Sequence, residues 1–269
     1  MNNSYLRLSR EGIFPITRNC KGESVERATG FTLPGTIQGE GKLAGTPSLF
    51  VRLQGCNLRC LWHLPDGTSC PCDTSHTWDV NGGRVMSVED IVRTIDLNIG
   101  KMRHVVITGG EPYLQPDGLS DLLLSLEERG IHTTIETNGL YGKMTKMGGM
   151  PLANLTSISP KLTNSGLDAE GVEMSAQGTG VLVHAAKRAH GDVQVKFVIS
   201  SAQDEDEIKE YFYLTLRILK PSDIIVMPLG STTGQLAQTS PIALAMALRN
   251  GWRFGPRLHI SLFGNKEGT

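Results

Sequence analysis

A chain of 269 residues with 39% hydrophobic content can bury a substantial core, and one α/β domain over the whole length is expected. The formal net charge is −1 with acidic and basic residues interspersed, which argues against a nucleic-acid or anionic-membrane surface and for a small-molecule partner. Residues 1–12 lack the apolar stretch of a secretory signal, and no segment approaches the ~20 apolar residues of a membrane span, so a cytoplasmic location is expected.

In chain order, residues 48–53 read as a strand. Ser87 then opens a helix, with Asp90 placed for a capping box and apolar residues at Ile91, Ile95 and Ile99. A strand over 104–108, a helix over 117–129, a strand over 132–137 and, after a Gly- and Met-rich loop, a short strand at 157–159 continue the alternation. Helix 181–189, strand 193–199, helix 204–219, strand 224–228, helix 242–250 and a last strand over 257–261 complete it. Such alternation predicts a mostly parallel sheet, either a partial βα barrel or a doubly wound sheet. In both, the site lies beyond the strand C-termini. Thr108-Gly109-Gly110-Glu111-Pro112, Glu136-Thr137-Asn138-Gly139 and Ser159-Pro160-Lys161 all fall at that edge.

Four of the five cysteines, Cys56, Cys60, Cys70 and Cys72, cluster on the loop after the first predicted strand, while Cys20 stands apart. With a cytoplasmic location expected, such clustering points to metal binding or catalysis rather than disulfides. Thiolates suit both iron–sulfur clusters and zinc. The x-x-x spacing followed by Cys70-Pro71-Cys72 differs from the paired Cys-x-x-Cys knuckles of structural zinc sites. Iron–sulfur is therefore the first reading, zinc the second, and buried thiols without a metal the third. Three thiolates on a cubane cluster leave one iron open to activate a cofactor or substrate.

Gly55-Cys56-Asn57-Leu58-Arg59-Cys60, with the Gly-Gly-Glu segment at 109–111, resembles the radical S-adenosylmethionine (SAM) superfamily. Eleven residues separate Cys60 from Cys72 where that superfamily has two, which marks an insertion around 62–71. Further motifs resemble the 7-carboxy-7-deazaguanine synthase family. They are Thr36-Ile37-Gln38-Gly39-Glu40-Gly41, Phe50-Val51-Arg52-Leu53, Cys72-Asp73-Thr74, His76-Thr77-Trp78, Leu258-His259 and Leu262-Phe263-Gly264-Asn265-Lys266. The segment 19–31 matches none of these motifs and reads as an extension or insertion.

The resemblance implies a partial barrel whose [4Fe-4S] cluster is held by Cys56, Cys60 and Cys72, with Cys70 as the spare thiol. It implies cleavage of SAM to a 5′-deoxyadenosyl radical and conversion of 6-carboxy-5,6,7,8-tetrahydropterin to 7-carboxy-7-deazaguanine with loss of ammonia, as in the biosynthesis of queuosine and other 7-deazapurines. The expected SAM contacts are Asp73, Gly109, Gly110, Glu111, Glu136, Asn138, Ser159, Pro160 and Lys161. Those for the substrate are Ile37, Gln38, Gly39, Glu40, Arg52, Thr108 and His259, with Arg52 offering a planar fork to the carboxylate. Thr74 is expected to give a hydroxyl to a Mg²⁺ ion, which takes few protein oxygens and completes its shell with water and substrate. An external electron donor such as flavodoxin or ferredoxin and a homodimer are further expectations. Two other readings stand beside this one: a radical SAM activase that installs a glycyl radical on a partner protein, and a zinc-stabilised binding module without catalysis.

Overall fold

The computed structural model describes residues 4–25, 36–140, 145 and 148–264. The segment expected around 19–31 lies outside the described residues beyond residue 25, as do Asn265 and Lys266 of the C-terminal motif. The sheet starts before the first expected strand, with β1 (Tyr5–Phe14) followed by β2 (Thr36–Ile37) and β3 (Pro47–Leu53). β1 pairs antiparallel with β3, and its register slips between Leu8 and Ile13. That bulge breaks the strand period and hides β1 from a reading based on alternation.

The cluster-loop insertion is itself a hairpin of β4 (Leu61–His63) and β5 (Ser69–Pro71), with Trp62 opposite Cys70. An antiparallel edge strand, β6 (Arg84–Ser87), leads into α1 (Val88–Asn98). The Asp90 amide donates to the Ser87 hydroxyl at 3.1 Å, so the expected N-cap forms. Ile91 and Ile95 are fully buried beneath α1, each stabilising the fold by about 1.5–3 kcal/mol.

The parallel part follows: β7 (His104–Gly109), α2 (Pro116–Glu127), β8 (His132–Thr137), β9 (Leu155–Ile158), α3 (Ala169–Arg188) and β10 (Asp192–Ile199). Next come α4 (Asp204–Tyr211), α5 (Tyr213–Ile218), β11 (Ile224–Pro228), α6 (Thr233–Asn250), β12 (Arg253–Phe254) and α7 (Leu258–Phe263). The sheet runs β12-β11-β10-β9-β8-β7-β3-β1-β6, and β3 with β7 to β12 are parallel and lie in chain order. A doubly wound sheet reverses its strand order at a switch point. These strands do not, so the fold is the open, partial barrel.

Strand alternation then sorts the residues into two sets. Val193, Val195, Phe197 and Ile199 of β10 join the helices in the main core, whereas Lys196 and Val198 border the central cavity. In β3, Leu49, Val51 and Leu53 are core, and Phe50 and Arg52 border the cavity. Among the described residues no helix is long and apolar enough to cross a membrane.

Four expected elements are corrected. The helix expected at 181–189 is the second half of α3, which starts at the Asp168 cap; Gly171, Gly178 and Gly180 mask its first half. Gly178 is there for contact, since a Cβ would stand 2.1 Å from the Gly139 carbonyl oxygen. The helix expected over 204–219 breaks at Phe212, whose ring packs edge-on against Phe197. α6 begins well before residue 242 and carries Pro241 inside it, the residue that makes the earlier half look non-helical. Finally, residues 257–261 are not a strand. Leu258, Ile260 and Leu262 alternate, but only Ile260 is buried, the segment turns as α7, and the last strand is β12.

Candidate active site

The C-terminal ends of the parallel strands open on a cavity of about 360 Å³. One wall is the cluster loop. Gly55 N donates to Thr77 O at 2.7 Å and Glu111 N to Gly55 O at 2.7 Å, which ties the loop entrance to its own exit and to the Gly-Gly-Glu turn. A Cβ on Gly110 would lie 2.0 Å from the Gly55 carbonyl oxygen, so this approach requires glycine. Cys56, Cys60, Cys70 and Cys72 all border the cavity. Cys72 N donates to Cys60 O at 3.3 Å, Leu58 N to the Cys56 sulfur at 3.5 Å, and the Cys72 sulfur lies 3.4 Å from the Thr74 hydroxyl.

Burial raises the Cys56 thiol and pushes Cys60 up to about 11, so either becomes a thiolate ligand only where a positive charge offsets the burial. Among the described residues, no three His, Cys, Asp or Glu side chains surround one point as in a mononuclear site. The fit to a cubane rests on sulfurs spread around one cavity and on a backbone amide aimed at one of them.

The other wall comes from strands. Gln38 Nε2 donates to Glu136 Oε1 at 3.0 Å. Lys196 Nζ lies 2.6 Å from Glu136 Oε2 and 3.0 Å from Glu40 Oε2. Arg257 bridges Glu40 at 2.9 Å and Asp73 at 2.8 Å, joining this wall to the cluster loop. Burial alone would raise Glu40, but Lys196 and Arg257 outweigh it and hold its carboxyl well below the usual range. Burial would also raise Asp73, and Arg257 brings it below its ordinary value. His259 packs on Gly39, where a Cβ would stand 2.1 Å from its Nδ1, and burial lowers its pKa. The Arg52 guanidinium lies over the Phe14 ring, 5.1 Å from the centroid.

Of the expected residues, Ile37, Gln38, Gly39, Glu40, Arg52, Asp73, Thr74, Thr108, Gly109, Gly110, Glu136, Asn138, Ser159, Lys161 and His259 border the cavity with the cysteines. Glu111 and Pro160 do not. The Glu111 carboxylate is fully buried and accepts from Tyr113 N at 3.0 Å, Thr137 Oγ1 at 2.8 Å and Asn138 N at 2.8 Å, while burial raises its pKa to about 7.

Sequence reading missed Lys196, Arg257, Trp62 and the Glu11–His76 pair at 2.7 Å, all bordering the same cavity. The signal for Lys196 was a single cation inside the apolar run 193–199. Arg257 sat in a misassigned strand.

Residues 50–162 match the Radical SAM superfamily. The chain is 36% identical over 249 residues to 7-carboxy-7-deazaguanine synthase of Halobacterium salinarum, covering 87% of this chain and 90% of that protein. It is 34% identical over 244 residues to the synthase of Rhodopirellula baltica (86% and 85%) and 29% identical over 242 residues to that of Escherichia coli (83% and 93%). The crystal structure of QueE from Escherichia coli shares the fold at a TM-score of 0.55 and 23% identity, over 92% of this chain and 95% of that one.

Proposed function

Because the chain belongs to the 7-carboxy-7-deazaguanine synthase family of radical SAM enzymes, we propose that it converts 6-carboxy-5,6,7,8-tetrahydropterin to 7-carboxy-7-deazaguanine with loss of ammonia. One observation carries this reading: Cys56, Cys60 and Cys72 line a single cavity together with Gln38, Arg52, Glu136 and His259. A glycyl-radical activase or a zinc module would leave the second set of residues unexplained. When bound, a reduced [4Fe-4S] cluster supplies the electron that cleaves SAM to a 5′-deoxyadenosyl radical.

The protein's part is to hold these groups and exclude competing reactions. Cys56, Cys60 and Cys72 hold the cluster. Gly109, Gly110, Asp73, Asn138, Ser159 and Lys161 border the SAM side, and Glu111 shapes it by fixing the backbone at Asn138. Ile37, Gln38, Gly39, Glu40, Thr108 and His259 receive the pterin, and Arg52 pairs with its carboxylate. Glu136, expected among the SAM contacts, is hydrogen-bonded to Gln38 and Lys196, which supports reading it as a contact of the substrate. Thr74 borders the cavity with a hydroxyl available to a Mg²⁺ ion. A one-electron donor of the flavodoxin or ferredoxin class and a homodimeric assembly belong to the same reading.

Anaerobic turnover of the reconstituted chain with SAM, reductant, Mg²⁺ and 6-carboxytetrahydropterin tests it. Joint appearance of 5′-deoxyadenosine and 7-carboxy-7-deazaguanine by mass spectrometry is expected. Neither product from protein with an intact cluster would overturn the reading.

A further inference from the structure

β10 places a lysine where the strand otherwise has no use for charge. Its neighbours Val195 and Phe197 are fully buried on the helix side, and Lys196 points the other way with only 2% of its surface exposed. Burying an ammonium is unfavourable unless it is paired and hydrogen-bonded. Here it is doubly paired, to Glu136 at the end of β8 and to Glu40 in the connection between β2 and β3.

Each carboxylate is also held from its other side. Glu136 accepts from Gln38 Nε2 at 3.0 Å and from Ser157 Oγ at 2.9 Å, and Glu40 accepts from Arg257 Nε at 2.9 Å. The charged groups facing this pair are therefore Lys196, Arg257, Asp73 and His259. Two acids from distant parts of the chain are brought together by one nitrogen and aimed at one cavity.

Resting on the proposed function above, we propose that Lys196 is a positioning residue that pins Glu136 and Glu40 as paired acceptors for the N–H edge of the pterin substrate. A 2-aminopyrimidinone ring presents adjacent N–H donors, and fixed carboxylates are the acceptors that give charge-assisted hydrogen bonds. Without the ammonium, facing carboxylates repel and share a proton, so one of them stops accepting.

The test compares wild type with Lys196→Met as reconstituted holoenzymes. Iron content and substrate-independent 5′-deoxyadenosine formation are expected to stay within about twofold of wild type, because the cluster loop is untouched. The KM for 6-carboxytetrahydropterin is expected to rise about tenfold or more, with a smaller change in kcat. The acid limb of kcat/KM should move to higher pH, as the uncompensated carboxylates take up a proton. Lys196→Met combined with Glu40→Gln removes the repulsion and guards against simple unfolding. In that variant the limb is expected back at its wild-type position while KM stays raised. An unchanged KM and pH profile in Lys196→Met, or an unchanged KM in the double variant, overturns the inference while leaving the functional reading standing. A wild-type chain that yields 5′-deoxyadenosine and no deazaguanine overturns both.

Discussion

The two walls of the cavity are built by different means. The cluster loop is local: its cysteines, Thr74 and Thr77 all lie within residues 56–78 and are placed by backbone hydrogen bonds inside that segment and to the adjacent Gly-Gly-Glu turn. The opposite wall is assembled from afar, with Gln38 and Glu136 98 positions apart in the chain, Glu40 and Lys196 156, and Glu40 and Arg257 217. Only the sequential order of the parallel strands brings those side chains together. The contrast implies separable failures: damage to the loop removes the radical source, and damage to the wall leaves a radical source without a held substrate.

The largest expected effect lies on the loop. Cys72→Ala should lose cluster iron and 5′-deoxyadenosine formation together, whereas Cys70→Ala, on the β5 strand of the inserted hairpin, should retain both. Iron analysis and mass spectrometry of the two variants check this, and exchanged outcomes would make Cys70 the ligand. Next comes the seam between loop and sheet. In Gly110→Ala the new methyl meets the Gly55 carbonyl and the Cys56 amide, both backbone, so the loop must move. A loss of about 3 kcal/mol is expected in denaturant unfolding, the upper range of an overpacked site.

A smaller effect lies away from both walls. His104, at the start of β7, is bonded to Ser48 at 2.7 Å and Thr134 at 2.8 Å, and burial lowers its pKa to about 4. A depressed pKa means stability that is full above the unfolded value and lost as pH falls through the folded one. The stability advantage of wild type over His104→Asn, about 2 kcal/mol at neutral pH, should therefore shrink between pH 6.5 and about 4. Unfolding midpoints across that window measure it, and a pH-independent difference would contradict the assignment. The smallest effect is at Thr74. Thr74→Ala should raise the Mg²⁺ concentration for half-maximal turnover about tenfold, roughly one lost ligand interaction. An unchanged Mg²⁺ titration removes Thr74 from the metal site.

What was legible in the sequence follows the same division. The cysteine loop and the Gly-Gly-Glu turn carry their chemistry in residue type and short spacing, and the cysteines border one cavity with Gly109 and Gly110, while Glu111 lies buried behind it. The inner strands were legible too, because continuous apolar runs mark buried parallel strands. β1 was missed because its bulge interrupts the period, and the first half of α3 because its three glycines mask the helical pattern, Gly178 serving close contact with Gly139 rather than helix propensity. Lys196 and Arg257 were missed for a different reason. Neither lies at a strand end or in a matched motif, and each cation takes its meaning only from carboxylates across the fold, Glu40 and Glu136 for Lys196 and Glu40 and Asp73 for Arg257.

The central claim, that one wall generates the radical and the other holds the substrate, is tested most directly by Arg52→Ala. The measurement is the ratio of 5′-deoxyadenosine to 7-carboxy-7-deazaguanine, taken with the iron content of the same sample. Retained iron and SAM cleavage, with deazaguanine formation down about a hundredfold, is the predicted result, the size of a lost charge-assisted pair. Loss of the cluster along with the product, or undiminished product, would contradict the division of the site into two walls.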